Sequence, residues 1–130
     1  MKIAIVTSEV TYIPQNYNAL IGELLSLSNV KILINLSNRS PTLALKGIGL
    51  IALGAKKIGL QLIKNTIEPQ TKLRKQLCIK NNITYLRFNS INDPQVIKAI
   101  KENEIDLILN IRTRCIYKKE ALEAPKLGCI

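Results

Sequence analysis

Few side chains in this sequence can move protons or electrons, and their spacing narrows the chemistry further. There are three cysteines, Cys78, Cys115 and Cys129, and no histidine. The cysteines are far apart, odd in number and without a C-x-x-C pair, so neither a disulfide framework nor a zinc site is indicated. Without histidine the chain lacks the commonest general base and a common metal ligand. No catalytic residue and no metal ligand is assigned on these grounds. Positive charge is in excess: 19 Lys and Arg against 9 Asp and Glu, a formal +10. Such a balance suits an anionic partner, whether tRNA, a nucleotide, a phosphorylated substrate or an anionic membrane. The basic residues are scattered along the chain, as they would also be if they served solubility alone.

An anion site needs backbone amides at a helix N-terminus or a glycine-rich turn. The segment Ser8–Pro14 (SEVTYIP) has no glycine. A helix start near Gln15 still offers amide donors, but Glu9 would repel phosphate. The segment is therefore read as a surface loop.

These groups are carried by alternating strands and helices. Lys2–Thr7 is a short β-branched run that reads as a buried strand. Gln15–Leu27 places Ala19, Leu20, Leu24 and Leu27 at helical spacing. Val30–Leu36 is a second strand, which makes a β-α-β unit and implies a parallel sheet. Thr71–Lys80 reads as a helix with Leu73, Leu77 and Cys78 on one side, set off from what precedes it by Pro69. Ile83–Phe88 alternates like a strand. Asp93-Pro94 is a strong helix start, a capping carboxylate followed by proline in the first turn, with Val96, Ile97 and Ile100 facing inward. Ile105–Ile111 is the most convincing central strand. A loop at Arg112–Tyr117, a short helix at Lys118–Glu123 and an apolar run from Leu127 follow. The core is aliphatic, since there is no Trp and a single Phe, as suits strands covered on both faces. One α/β domain fits 130 residues. No signal peptide is visible, and a reducing cytoplasm is the default compartment.

Thr42–Ile67 is rich in Leu, Ile, Gly and Ala, with Lys46, Lys56, Lys57 and Lys64 interspersed. The uncharged run between Lys46 and Lys56 is far short of the ~20 residues a membrane span needs. Gly47, Gly49, Gly54 and Gly59 each lower helix propensity, by about 1 kcal/mol relative to Ala. One or two helices packed on the domain are expected, with a basic amphipathic helix touching membrane or tRNA as the sharper alternative.

The segment Glu104–Ile130 (EIDLILNIRTRCIYKKEALEAPKLGCI) carries a joined pattern. Asp106 precedes an apolar strand, and Leu122, Pro125, Gly128, Cys129 and Ile130 follow at set spacing. This pattern resembles the formyltransferase family, whose members act on methionyl-tRNA, glycinamide ribonucleotide or amino sugar nucleotides. The layout of the first half agrees with that family's N-terminal half. The resemblance implies a Rossmann-like three-layer parallel sheet, here a truncated formyltransferase N-terminal fold. Residues 1–130 would form part of the N-terminal catalytic domain, with a helical insertion at about 42–67.

The resemblance also implies a chemistry. Family enzymes move a formyl group from 10-formyltetrahydrofolate to an amine. An Asn, His and Asp trio stabilises the oxyanion and shuttles protons. The Asn and His would come directly after Ile130 and the Asp further on, so this chain is expected to be an N-terminal fragment, inactive alone. A second chain completing the sheet is a possible partner. The family's loop against the folate pteridine maps to Arg114, Cys115, Ile116 and Tyr117, which implies cofactor contacts made largely through backbone groups. Ile116 and Tyr117 read equally well as ordinary packing residues. Methionyl-tRNA and an amino sugar nucleotide are both compatible acceptors. The alternative is a non-catalytic module that binds a nucleotide, folate or tRNA.

Overall fold

The structure, a computed structural model, describes residues 1–68 and 71–130, with side chains throughout save those of Pro14 and Asn16. Four strands form one sheet: β1 (Ile3–Ser8), β2 (Val30–Leu36), β3 (Thr84–Phe88) and β4 (Leu107–Ile111). All are parallel, in the order β3-β2-β1-β4. Among the described residues six α-helices accompany them: α1 (Asn18–Leu25), α2 (Pro41–Ala52), α3 (Lys56–Ile67), α4 (Thr71–Lys80), α5 (Pro94–Glu102) and α6 (Lys119–Leu122). A 3-10 turn at Pro14–Tyr17 leads into α1. This is the Rossmann-like α/β arrangement expected from the alternation of apolar runs and helical periods.

β1 and β2 are the inner strands, and every residue of β1 is buried. Their alternate side chains feed two cores. Ala4, Val6, Ile32, Ile34 and Ile108 face Val96 and Ile100 of α5 and Ala121 of α6. Ile3, Ile5 and Leu33 face Ile21 and Leu25 of α1 and Cys78 of α4. Burial on both faces explains why Ile3–Val6 and Ile32–Ile34 read as aliphatic runs rather than as alternating ones. A smaller third core, Val10 with Leu43 of α2 and Leu62 of α3, attaches these two helices over the carboxyl end of β1. α2 and α3 cross closely, with the buried Gly47 and Gly59 at the contact.

The segment after α6 joins the sheet beyond β4. Ile108 bridges Cys129 in parallel. The Ile108 amide donates to the Gly128 carbonyl at 3.1 Å, and the Ile130 amide donates to the Ile108 carbonyl at 2.9 Å. Gly128 turns there with φ +91°, a conformation that favours glycine.

The start of α5 forms as its sequence implies: Pro94 stands in the first turn, and the Asp93 carboxylate accepts from the Gln95 amide at 2.9 Å. Two helix faces differ from expectation. In α1 the buried residues are Ile21 and Leu25, whereas Leu20 and Leu27 are exposed. Two apolar stripes lie side by side on this helix, and periodicity alone could not rank them. In α4 Leu73 is exposed and Arg74 is buried with Cys78, because Arg74 has partners inside that a leucine could not have. Pro69, expected to break the chain ahead of α4, lies outside the described residues.

Candidate functional site

The strand order places β1 between β2 and β4, and the chain leaves β1 and β4 by crossovers in opposite directions across the sheet. Crevices at the carboxyl ends of such strands are where open parallel sheets bind ligands. A narrow cleft sits there, with a volume of about 30 Å³, lined by Ser8, Val10, Thr11, Tyr12, Ile13, Asn38, Arg112 and Arg114.

The loop after β1 is not the surface loop expected from its composition. Ser8, Glu9, Val10 and Thr11 are all buried. Two asparagines clamp it. Asn38 accepts from the Val10 amide and donates to the Val10 carbonyl, both at 2.8 Å, and so prolongs the pairing of β1 with β2 beyond the strands. Asn65 of α3 donates to the carbonyls of Thr11 and Ile13 at 3.1 and 3.0 Å, and Gln61 orients it by donating to its Oδ1 at 2.9 Å.

Glu9 does not face the cleft as a repelling charge either. Its side chain is 2% exposed and forms a two-point pair with Arg87 of β3, Nε to Oε1 and a terminal nitrogen to Oε2, both 3.1 Å. Thr71 and Ser37 donate to the same carboxylate at 2.8 and 3.1 Å. Burial alone would push the carboxyl up, but the hydrogen bonds from Arg87, Thr71 and Ser37 outweigh it and hold the group below its ordinary value. Beside this pair lies the buried Arg74, which donates to the Ser8 carbonyl at 2.9 Å, to Asn35 Oδ1 at 2.7 Å and to Asn18 Oδ1 at 3.1 Å. Asn35 in turn donates to the Tyr85 hydroxyl at 3.0 Å. Burial lowers the Arg74 guanidinium to about 10, partly offset by the nearby Tyr85 and Glu9, so it is charged at neutral pH. The network fixes the end of β1 from below and leaves Arg112 and Arg114 as the charges on the cleft wall.

The four residues expected to touch a cofactor fall in different settings. Arg114 lies on the cleft, its guanidinium carbon 4.8 Å from the centre of the Tyr12 ring, so the loops after β1 and β4 meet through a cation–π contact. Cys115 points toward the β3–α5 loop, with its Sγ 3.4 Å from Ser90 Oγ. The Ile116 side chain is 85% exposed. Tyr117 turns the other way and packs against the core beneath α5 and α6. Burial pushes its hydroxyl up to about 12. Arg112 adopts the left-handed region, φ +55°, which redirects the chain as it leaves β4.

One residue organises this loop. Asn92 donates to the Ile116 carbonyl and accepts from the Lys118 amide, both at 2.8 Å. Among the described residues no protein group takes up the amides of Arg114, Cys115, Ile116 or Tyr117. The loop is thus held at its end, and among the described residues its own amide donors have no protein acceptor.

The motif residues Asp106 and Cys129 lie away from this cleft. Asp106 accepts from the Lys2 amide at 2.6 Å and pairs with Lys126 at 3.2 Å, tying the amino end of β1 to β4. Cys129 is half-buried beside Ala121, and burial raises its thiol. Among the described residues no group of three His, Cys, Asp or Glu could hold a metal ion. Among them, too, no helix is long and apolar enough to cross a membrane.

Asn38, Asn65, Asn92 and the Glu9–Arg87 pair were not singled out by sequence. In sequence, an asparagine after a strand signals only a turn, and Asn65 lies inside an apolar helix with no local cue to its partners.

No family model matches the chain. Two proteins are similar to part of it. A methionyl-tRNA formyltransferase of Chlamydia abortus is 31% identical over 55 residues, which cover 42% of this chain and 17% of the relative. A methionyl-tRNA formyltransferase of Clostridioides difficile is 41% identical over 56 residues, which cover 43% of this chain and 18% of the relative. The similarity thus spans less than a fifth of the length of either relative.

Proposed function

We propose that this chain, which is similar over 55–56 residues to two methionyl-tRNA formyltransferases, forms the folate-facing side of a site that moves a formyl group from 10-formyltetrahydrofolate to an amine. One observation carries the reading. The loop after β4, which the resemblance maps onto the family's pteridine-facing segment, is fixed at its end by Asn92, and among the described residues its amides have no protein acceptor. A pteridine presents an edge of alternating donors and acceptors, and a row of backbone amides in a pinned loop is suited to read it. The residues present therefore fit the group. Arg114, Cys115 and Ile116 would hold it through their backbones, Asn92 would keep them in place, and Tyr117 would anchor the loop from within the core. The folate, when bound, supplies the formyl group.

The acceptor amine belongs to a phosphate-bearing molecule on this reading. Arg112 and Arg114 line the cleft, and the one carboxylate of the neighbouring loop is neutralised by Arg87. Methionyl-tRNA is favoured over an amino sugar nucleotide by the names of the two relatives. With no histidine in 130 residues, proton transfer falls to groups outside this stretch, in the same or a second chain. The same absence favours, as a second reading, a module that binds folate or tRNA without catalysis.

Titration with 5-formyltetrahydrofolate, followed by amide NMR, tests the proposal. Shifts confined to Arg114–Tyr117 and the cleft, with an affinity insensitive to salt, are expected. Binding of tRNA that collapses with salt while folate leaves these amides unmoved would favour the second reading. Turnover by the 130-residue polypeptide alone would overturn the assignment of proton transfer to other residues.

A further inference from the structure

The α2–α3 hairpin presents an outer surface turned away from the sheet, which meets the cleft only at Tyr12 and Arg114. Leu43, Gly47, Gly59 and Leu62 face inward. Facing outward are Leu45, Ile48, Leu53, Ile58, Leu60 and Ile67, each more than half exposed. On α3, Lys56, Leu60, Lys64 and Ile67 stand at i, i+4, i+8 and i+11, one stripe along a single face. The recesses along that helix are lined by Lys57, Ile58, Leu60 and Lys64, then by Ile63, Lys64 and Ile67, with Glu68 at the end. Residues 41–67 include four lysines and no Asp or Glu.

We infer that this outer surface of α2 and α3 lies on an anionic lipid bilayer, its aliphatic side chains entering the headgroup boundary and its lysines meeting lipid phosphates. Two features favour lipid over nucleic acid. Within the hairpin itself the charge is carried by lysine, on long stems that can reach from an apolar face to a headgroup, with Arg39 and Arg114 only at its margins. There is no aromatic residue or arginine in 41–67 to stack on bases or grip a phosphate at two points. Six exposed aliphatic residues find little to bury against on a phosphate backbone but do so in acyl chains. The helices, at 12 residues each, are too short to span a membrane and suited to lying along its surface.

Flotation with vesicles tests the inference: phosphatidylcholine alone against phosphatidylcholine with phosphatidylglycerol, at low and high salt. The chain is expected to float with the phosphatidylglycerol vesicles and to be weakened by salt. The triple change Leu45→Ser, Leu60→Ser and Ile67→Ser should reduce binding roughly tenfold or more, in line with lost acyl contact. These side chains point outward, so circular dichroism should show the fold retained. The triple change Lys56→Gln, Lys57→Gln and Lys64→Gln should remove the preference for anionic lipid. Equal recovery with and without vesicles would overturn the inference. So would binding of tRNA, but not of vesicles, that survives the serine changes, or vesicle-free self-association that the serine changes abolish. Folate titration is independent of all these outcomes, so failure here leaves the formyl-transfer reading standing.

Discussion

Gly47 and Gly59 face each other across the α2–α3 crossing, and neither has room for a side chain. A Cβ on Gly59 would lie 2.5 Å from the Gly47 carbonyl oxygen, and one on Gly47 would lie 3.0 Å from the Gly59 carbonyl and 2.6 Å from Ile63. Gly59→Ala meets backbone that cannot move aside, and should cost about 1–3 kcal/mol as an overpacked contact. Gly49, in the same helix, has nothing within 4 Å of its would-be Cβ. Gly49→Ala should instead stabilise by about 0.5–1 kcal/mol, since alanine is the better helix former. Urea denaturation of the two variants checks both signs.

Arg74, almost wholly buried, donates to Asn18 Oδ1, Asn35 Oδ1 and the Ser8 carbonyl. Arg74→Met keeps the volume but strands Asn35 Oδ1 and the Ser8 carbonyl. A loss of about 1–3 kcal/mol is expected, the cost of leaving buried acceptors without a donor. Chemical denaturation measures it. A near-neutral result would mean that the pocket admits water to replace the guanidinium.

Stability should fall in acid through Glu9. Its folded pKa lies below the ordinary 4.5, since the hydrogen bonds from Arg87, Thr71 and Ser37 outweigh burial. A depressed carboxylate contributes stability that is fully present above the unfolded value and is lost as pH falls through the folded one. Glu9→Gln should therefore be less stable than the parent at pH 7, by about 1–3 kcal/mol for hydrogen bonds to a charged group. The difference should shrink as the pH is taken below about 4.5. Thermal melts of both proteins across that range give the comparison.

Asn92→Ala removes both clamps on the loop after β4. Hydrogen exchange should quicken at Lys118 and its neighbours, while strands β1 and β2 stay protected. Folate affinity should drop about tenfold, the scale of losing pre-organisation worth one or two hydrogen bonds. Unchanged exchange at Lys118 would show that the loop is held by something else.

Much of the layered architecture was open to reading because it rests on local pattern. Ile3–Val6 and Ile32–Ile34 are unbroken aliphatic runs, as suits strands buried on both faces, and Asp93-Pro94 caps α5 with residues adjacent in sequence. The paired strand and helix periods thus determined an α/β sheet, whereas the parallel pairing of the apolar run from Leu127 on β4 came from the structure. Tertiary structure decided the rest. Which stripe of α1 faces the sheet, why Arg74 rather than Leu73 is inside, and that Glu9 is buried rather than lining a surface loop all depend on partners from elsewhere in the chain; Arg87 meets Glu9 across 78 positions. Likewise the glycines of α2 and α3, weak helix formers taken singly, make sense only once two backbones touch. Periodicity reports burial along one element, whereas charge compensation and close approach are properties of pairs, and only the folded chain brings the pairs together.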